Sequence, residues 1–88
     1  MIRVTTEVSV DGVRRLTLWD GETVVGGARA CLEGKMLRLE EMDAPNAALE
    51  DMLLRATLHG GRLAGAESAW VQGEEVDIHA FFSAGCGG

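Results

Sequence analysis

Three groups of residues in this sequence could take part in chemistry. The first is a cluster of carboxylates, Glu40, Glu41 and Asp43, within the segment MLRLEEMD. The second is His79, which follows an aspartate closely and could act as a general base. The third is Cys86, which lies between glycines near the end of the chain and could act as a mobile nucleophile.

Each group also has a plainer explanation. The carboxylates can form the solvated end of a strand, and no defined pocket is evident around His79. Nothing in the sequence beside Cys86 would activate its thiol. Cys31, Cys86, His59 and His79 lack a ligand spacing such as C-x-x-C, so we predict no metal site. We expect both cysteines to be free thiols.

The end of the chain, EEVDIHAFFSAGCGG, fits two structures. Read with a period of two, the segment from Val76 to Phe82 is a strand, and Gly88 would carry a free Gly-Gly carboxylate, as in a ubiquitin-like sulfur carrier. Read with a helical period, Ile78 and the two phenylalanines share a face and Gly85 ends the helix. We predict a short helix over residues 76–84, because these three apolar side chains need burial. The sulfur carrier is the alternative.

Length and charge narrow the possible classes of protein. We predict a single domain over residues 1–88, with one modest core. The net charge of −6 and the scattered basic residues argue against nucleic-acid binding. No run approaches the roughly 20 apolar residues of a membrane helix, and MIRVTTEVSV lacks the pattern of a signal peptide. We therefore expect a cytoplasmic protein that binds neither nucleic acid nor membranes.

The first 44 residues predict an antiparallel meander of four strands. Apolar and polar residues alternate from Ile2 to Val10. Turn signals separate the strands at Asp11-Gly12, Asp20-Gly21 and Glu33-Gly34-Lys35. Gly26 and Gly27, inside the third strand, indicate a bulge or the close approach of another group.

The period changes to that of a helix after Pro45, with Asn46 as the N-cap. The apolar stripe of this helix is Leu49, Met52, Leu53 and Ala56. Gly60 and Gly61 lie near its predicted end, although the spacing also allows the helix to continue to Gly65. ESAWVQG predicts a fifth strand. The predicted fold is α+β: an antiparallel meander, one long helix, a fifth strand and a short C-terminal helix.

Three segments carry a resemblance to a known family. LWDGETVVGGARACLEGKMLRLEEMDAP resembles a central hairpin, LLRATLHGGRLAGAESAWV a main helix with the following strand, and HAFFSAGC a short last helix. Over roughly residues 16–86 they resemble the C-terminal part of GNAT-superfamily N-acetyltransferases. The resemblance implies a minimal GNAT-like domain that transfers an acyl group from acetyl-coenzyme A to an amine. Glu41, or Glu40 depending on a bulge, would be the base, and Asn46, Ala47 and Ala48 would meet the cofactor at the helix N-terminus.

The sequence departs from this family at the cofactor site and at the general acid. PNAALEDMLL lacks the glycines and the basic residue of the family's pyrophosphate loop, and Glu50 and Asp51 place negative charge there. Phe81 stands where the family often has a tyrosine, and the chain contains none. We therefore expect acetyl-coenzyme A binding to be millimolar or absent. We interpret the chain as a reduced GNAT-like protein and leave two roles open: a non-catalytic relative that keeps the fold for binding or assembly, or an enzyme that transfers an acyl group from coenzyme A to an amine with Glu41 as the base. The helix follows the fourth strand, whereas that of a sulfur carrier follows the second.

The predicted sheet is covered by helix on one face. An uncovered apolar face tends to find a partner, so we predict a homodimer. The candidate surface is the face that carries Trp19, Val25 and Cys31. Trp19 and Trp70 are interpreted as anchors of the core or of an interface.

Overall fold

A computed structural model describes the backbone of residues 1–86 and the side chains of residues 1–83. The described residues form six strands and two helices, in the order β1 (Ile2–Val8), β2 (Val13–Asp20), β3 (Thr23–Glu33), β4 (Met36–Asp43), α1 (Ala47–Leu63), β5 (Ser68–Val71), β6 (Glu74–Asp77) and α2 (Ile78–Cys86). The predicted α+β fold, with its four-stranded meander, long helix, fifth strand and short last helix, is confirmed.

The strands form one sheet in sequence order, β1-β2-β3-β4-β5-β6. All neighbours are antiparallel except β4 and β5, which are parallel because α1 carries the chain back between them. The sixth strand was not expected from the sequence. It is formed by a tight hairpin in which Gln72 and Gly73 both have positive φ, at 51° and 82°.

Helix α1 begins as predicted and ends later than its glycines suggest. The side chain of Asn46 accepts a hydrogen bond of 2.9 Å from the backbone N–H of Leu49, which is the N-cap contact. Gly60 and Gly61 lie inside the helix. A Cβ at residue 61 would come within 2.6 Å of the buried Leu37 side chain, so this glycine lets α1 lie close to β4.

Both helices pack on the same face of the sheet. The core consists of the buried apolar side chains of Leu16, Leu18, Ala28, Ala30, Leu37, Leu53, Leu58, Ala66, Ala69 and Ile78. Leu58 of α1 and Ile78 of α2 belong to one cluster with residues of β3, β4 and β5. The predicted apolar stripe of α1 is only partly correct. Leu53 is buried, but Met52 is 41% exposed, and Thr57, Leu58 and Gly61 complete the buried side.

The predicted helix near the C-terminus is confirmed, with a shift of two residues. Residues 76 and 77 belong to β6, and α2 starts at Ile78. The Asp77 carboxylate accepts a 3.1 Å hydrogen bond from the backbone N–H of Ala80, so Asp77 caps the helix. Phe81 and Phe82 pack against the core cluster and meet edge to face at 5.3 Å. Among the described residues, neither helix has the length and apolar character needed to cross a membrane.

The other face of the sheet carries ion pairs between neighbouring strands. Arg29 lies 3.1 Å from Glu41 on this face, and Arg38 lies 2.7 Å from Glu33. Trp19 is engaged within the chain. Its indole N–H donates a 2.8 Å hydrogen bond to Thr5. This face is therefore not apolar throughout, and the homodimer, with the interface around Trp19, Val25 and Cys31 that the sequence suggested, stays a proposal.

Candidate functional site

The main concave feature linked to the predicted site lies where β4 runs beyond β5. The parallel pairing of the two strands stops at Arg38 and Trp70, and β5 ends one residue later. Within the described chain, no strand pairs with the outer edge of residues 39–43. This leaves a crevice of about 230 Å³ whose lining residues are Leu39, Glu40, Glu41, Met42 and Gln72.

A bulge in β4 determines the directions in which the Glu40 and Glu41 side chains point. Ala30 pairs with Leu39 and Arg29 with Glu41, so Glu40 is the extra residue on β4. The bulge turns Glu41 towards the uncovered face of the sheet, where it lines a second, shallow cleft of about 410 Å³. Glu41 therefore stands between the two depressions.

The surroundings of Glu41 do not favour proton abstraction. Its carboxylate lies 3.1 Å from the terminal nitrogen of Arg29, and its side chain is 66% exposed. The Nε atom of the same arginine lies 3.7 Å from the Glu40 carboxylate. A carboxylate already held by a guanidinium at the surface is not positioned to take a proton from an acceptor amine. The pair acts as a cross-strand contact between β3 and β4.

The two glycines of β3 are explained by close backbone packing and a bulge. A Cβ at residue 26 would collide with the backbone carbonyl oxygen of Asp43. A Cβ at residue 27 would lie 2.8 Å from the carbonyl oxygen of Leu16. The register between β2 and β3 also shifts here, with Val25 as the extra residue. Both predicted alternatives, bulge and close approach, are therefore present, and the approaching group is the protein's own backbone.

The N-terminus of α1 holds the predicted cofactor-contacting residues. Asn46 uses its side chain to cap Leu49, while Ala47 and Ala48 are exposed in the first turn. A depression of about 220 Å³ at this end of the helix is lined by Ala47, Glu50, Asp51 and Leu54. Asp51 pairs with Arg55 at 2.8 Å, but Glu50 has no ion-pair partner among the described residues. The helix dipole attracts an anion to this end, and the two acids oppose that attraction.

The C-terminal region does not provide a general acid at Phe81. This side chain is half-buried in the core, and the guanidinium of Arg55 lies 5.3 Å above its ring. His79 is exposed on the first turn of α2. The extended tail that the sulfur-carrier hypothesis requires is absent from residues 78–86, which are helical. Gly87 and Gly88 lie outside the described residues.

The remaining candidates are spread over the molecule. Cys31 is a free, half-buried thiol on β3. The backbone of Cys86 ends α2, and its side chain lies outside the described set. His59 is exposed on α1, and its ring meets Phe82 edge to face at 6.2 Å. The described residues contain no group of three or more His, Cys, Asp or Glu side chains that could hold a metal ion.

Two participants in this region were missed by reasoning from the sequence. Arg29 neutralises Glu41, and this pairing depends on a cross-strand register that the bulge at Glu40 shifts. Gln72 lines the crevice from a turn in which it has a positive φ, and the Gln-Gly dipeptide was the only local signal for that turn.

Comparison with known proteins found no matching family model, no matching curated protein and no matching solved structure.

Proposed function

We propose that this chain is a reduced GNAT-like protein with a binding or assembly role and no acetyltransferase activity. The observation that carries the GNAT-like part of this proposal is the arrangement of β4, α1 and β5. The long helix joins two parallel strands that separate after Arg38 and Trp70, which leaves the crevice beside residues 39–43. This is the splay between the fourth and fifth strands in which the resemblance places the pantetheine arm.

Three features of the site support a non-catalytic role. Glu41 is exposed and its carboxylate is held by Arg29, so it is not aimed at an acceptor amine. Phe81 cannot donate a proton to a leaving thiolate. The α1 N-terminus is capped by Asn46 and flanked by Glu50 and Asp51, which disfavour a diphosphate. We accordingly propose that acetyl-coenzyme A is not a working cofactor of this chain.

The proposed setting is the cytoplasm. Cys31 is a free thiol, and free thiols are typical of proteins in a reducing compartment. The excess of acidic residues, which gives a net charge of −6, supports a protein without nucleic-acid partners.

An acyl-transfer assay tests the absence of activity. The protein is incubated with acetyl-coenzyme A and a panel of primary amines, and the released thiol is measured with a chromogenic disulfide. We expect the rate to equal the background without protein, and Glu41→Gln to give the same rate, because no activated base is present. Glu40→Gln is the matched control on the bulge. Amine-dependent thiol release that falls at least about tenfold in Glu41→Gln alone would show a catalytic base and overturn the proposal.

A further inference from the structure

Within residues 1–86, strand β1 has one edge at the border of the sheet with no strand paired to it. The backbone groups on that edge can be assigned from the hydrogen bonds at both ends of the strand. Met1 accepts a bond from the N–H of Gly21, and the N–H of Ser9 donates to Val13. The odd-numbered residues therefore turn their backbone groups towards β2. The even-numbered residues, Ile2, Val4, Thr6 and Val8, present theirs outwards.

Strand β1 lacks several of the features that protect sheet edges from pairing, although it carries the charged residues Arg3 and Glu7. It is seven residues long and contains no proline, no lysine and no register shift against β2. Exposed apolar side chains are concentrated around it: Met1 is 95% exposed, Val8 58% and Val10 110%. The opposite border, β6, is only four residues long and carries three acids, Glu74, Glu75 and Asp77. Pairing of β6 with a second copy of itself would place acids close to acids.

We propose that two copies of this chain associate through β1, as antiparallel strands related by a twofold axis at Thr5. In this register Arg3 lies opposite Glu7 of the second copy, and Glu7 lies opposite Arg3 of the second copy. Ile2 lies opposite Val8 of the second copy. The sequence IRVTTEV is thus complementary to itself in charge and in apolar pairs. The result is a continuous sheet of two copies with isologous symmetry.

The backbone geometry agrees with this register. The pairs of even-numbered residues are those whose N–H and C=O groups point outwards, so they form the hydrogen-bonded pairs. The pairs of Arg3 with Glu7 are non-hydrogen-bonded pairs, in which facing side chains lie closer together. An axis at Val4 or at Thr6 also satisfies the backbone, but it places Arg3 opposite Thr5 or Ser9. Only the axis at Thr5 pairs both charges and engages all seven residues.

The side chains are free to make these contacts. Arg3 and Glu7 are both exposed on the uncovered face and form no ion pair in the described chain. The guanidinium of Arg3 lies 4.9 Å above the Trp19 ring, which holds it on the face where Glu7 also lies. This interface is distinct from the surface around Trp19, Val25 and Cys31 that the sequence suggested. It is independent of the proposed function.

Charge reversal provides the sharpest test. Arg3→Glu places acids opposite acids at two symmetric positions, and Glu7→Arg places arginines opposite arginines. We expect each single variant to raise the dissociation constant of the dimer at least about tenfold. An equimolar mixture of the two variants restores both opposite-charge pairs and should form a heterodimer. The double variant Arg3→Glu/Glu7→Arg should dimerise like the native chain, which controls for effects of the two substitutions on the fold of each copy.

The measurement is sedimentation equilibrium over a concentration series, with far-UV circular dichroism to check the fold. We expect the native chain to reach twice the 9.4 kDa mass of one copy. Thr6→Pro removes an outward N–H while leaving the bonds to β2 intact, so it should yield a folded monomer. Thr6→Ala is its control and should remain dimeric. A native chain that stays monomeric, or a dimer unaffected by both the single reversals and Thr6→Pro, would overturn the proposal.

Discussion

Replacing Leu58 by alanine will lower the free energy of unfolding by about 2–5 kcal/mol. Leu58 is 1% exposed and joins α1 to the sheet and to α2 through the cluster that contains Leu37 and Ile78. The truncated side chain leaves a cavity that backbone elements on three sides prevent from closing. A domain of this size has a total stability of only about 5–10 kcal/mol. The variant should therefore unfold at a much lower urea concentration.

The matched control is Leu63→Ala on the same helix. Leu63 is 76% exposed, so its truncation should change the stability by less than about 0.5 kcal/mol. Both variants are measured by urea unfolding at one fixed protein concentration, because association of two copies would add to the apparent stability. Equal losses for Leu58→Ala and Leu63→Ala would contradict the packing of α1 described above.

Replacing Gly26 by alanine will destabilise the protein by about 1–3 kcal/mol through overpacking. The new methyl group would overlap the carbonyl oxygen of Asp43 and lie 3.3 Å from the Cα atom of Ala44. These are backbone atoms at the end of β4, so a rotamer change cannot relieve the collision. The end of β4 must move, and the crevice beside residues 39–43 should change shape with it.

Gly60→Ala is the control for this substitution. Its methyl group would lie 3.0 Å from the end of the Arg14 side chain, which can move aside. Replacing a glycine inside α1 by alanine stabilises the helix by about 1 kcal/mol, because alanine has the higher helix propensity. We expect Gly60→Ala to be as stable as the native protein or more stable, measured by thermal unfolding at one protein concentration. A Gly26→Ala variant that also keeps native stability would show that Asp43 does not approach β3 in the way described.

The parts of the fold that depend on neighbouring residues were predictable from the sequence. The Asn46 cap requires only a contact with a residue three positions further along, and it is present. The Asp11-Gly12 hairpin is likewise local, and Gly12 has a φ of 86°. For the end of α1 the sequence left two glycine signals open, and local reasoning could not choose between them. The helix runs through Gly61, which packs against Leu37, and ends at Leu63 just before Gly65, whose φ is 104°.

The candidate site was harder to predict because it depends on long-range register. Glu41 lines the crevice beside β4, and its role as a base stays a prediction. Its partner Arg29 could not be assigned, because one bulged residue on β4 changes which side chains face each other. The charge of the uncovered face was missed for a similar reason. The apolar residues of β3 and β4 could be identified in the sequence, but the face of the sheet on which each side chain lies depends on the two bulges.

Isothermal titration of acetyl-coenzyme A into the native protein is the decisive measurement for the proposed function. We propose that the chain keeps the crevice beside residues 39–43 but lacks a working cofactor site. Glu50 and Asp51 at the α1 N-terminus should each oppose the diphosphate by about 1 kcal/mol, and the capped helix end offers a phosphate little more than that. We expect a dissociation constant in the millimolar range or weaker, which corresponds to a binding free energy of about −4 kcal/mol. A micromolar dissociation constant would contradict the account and make Glu41 the leading candidate for a catalytic base.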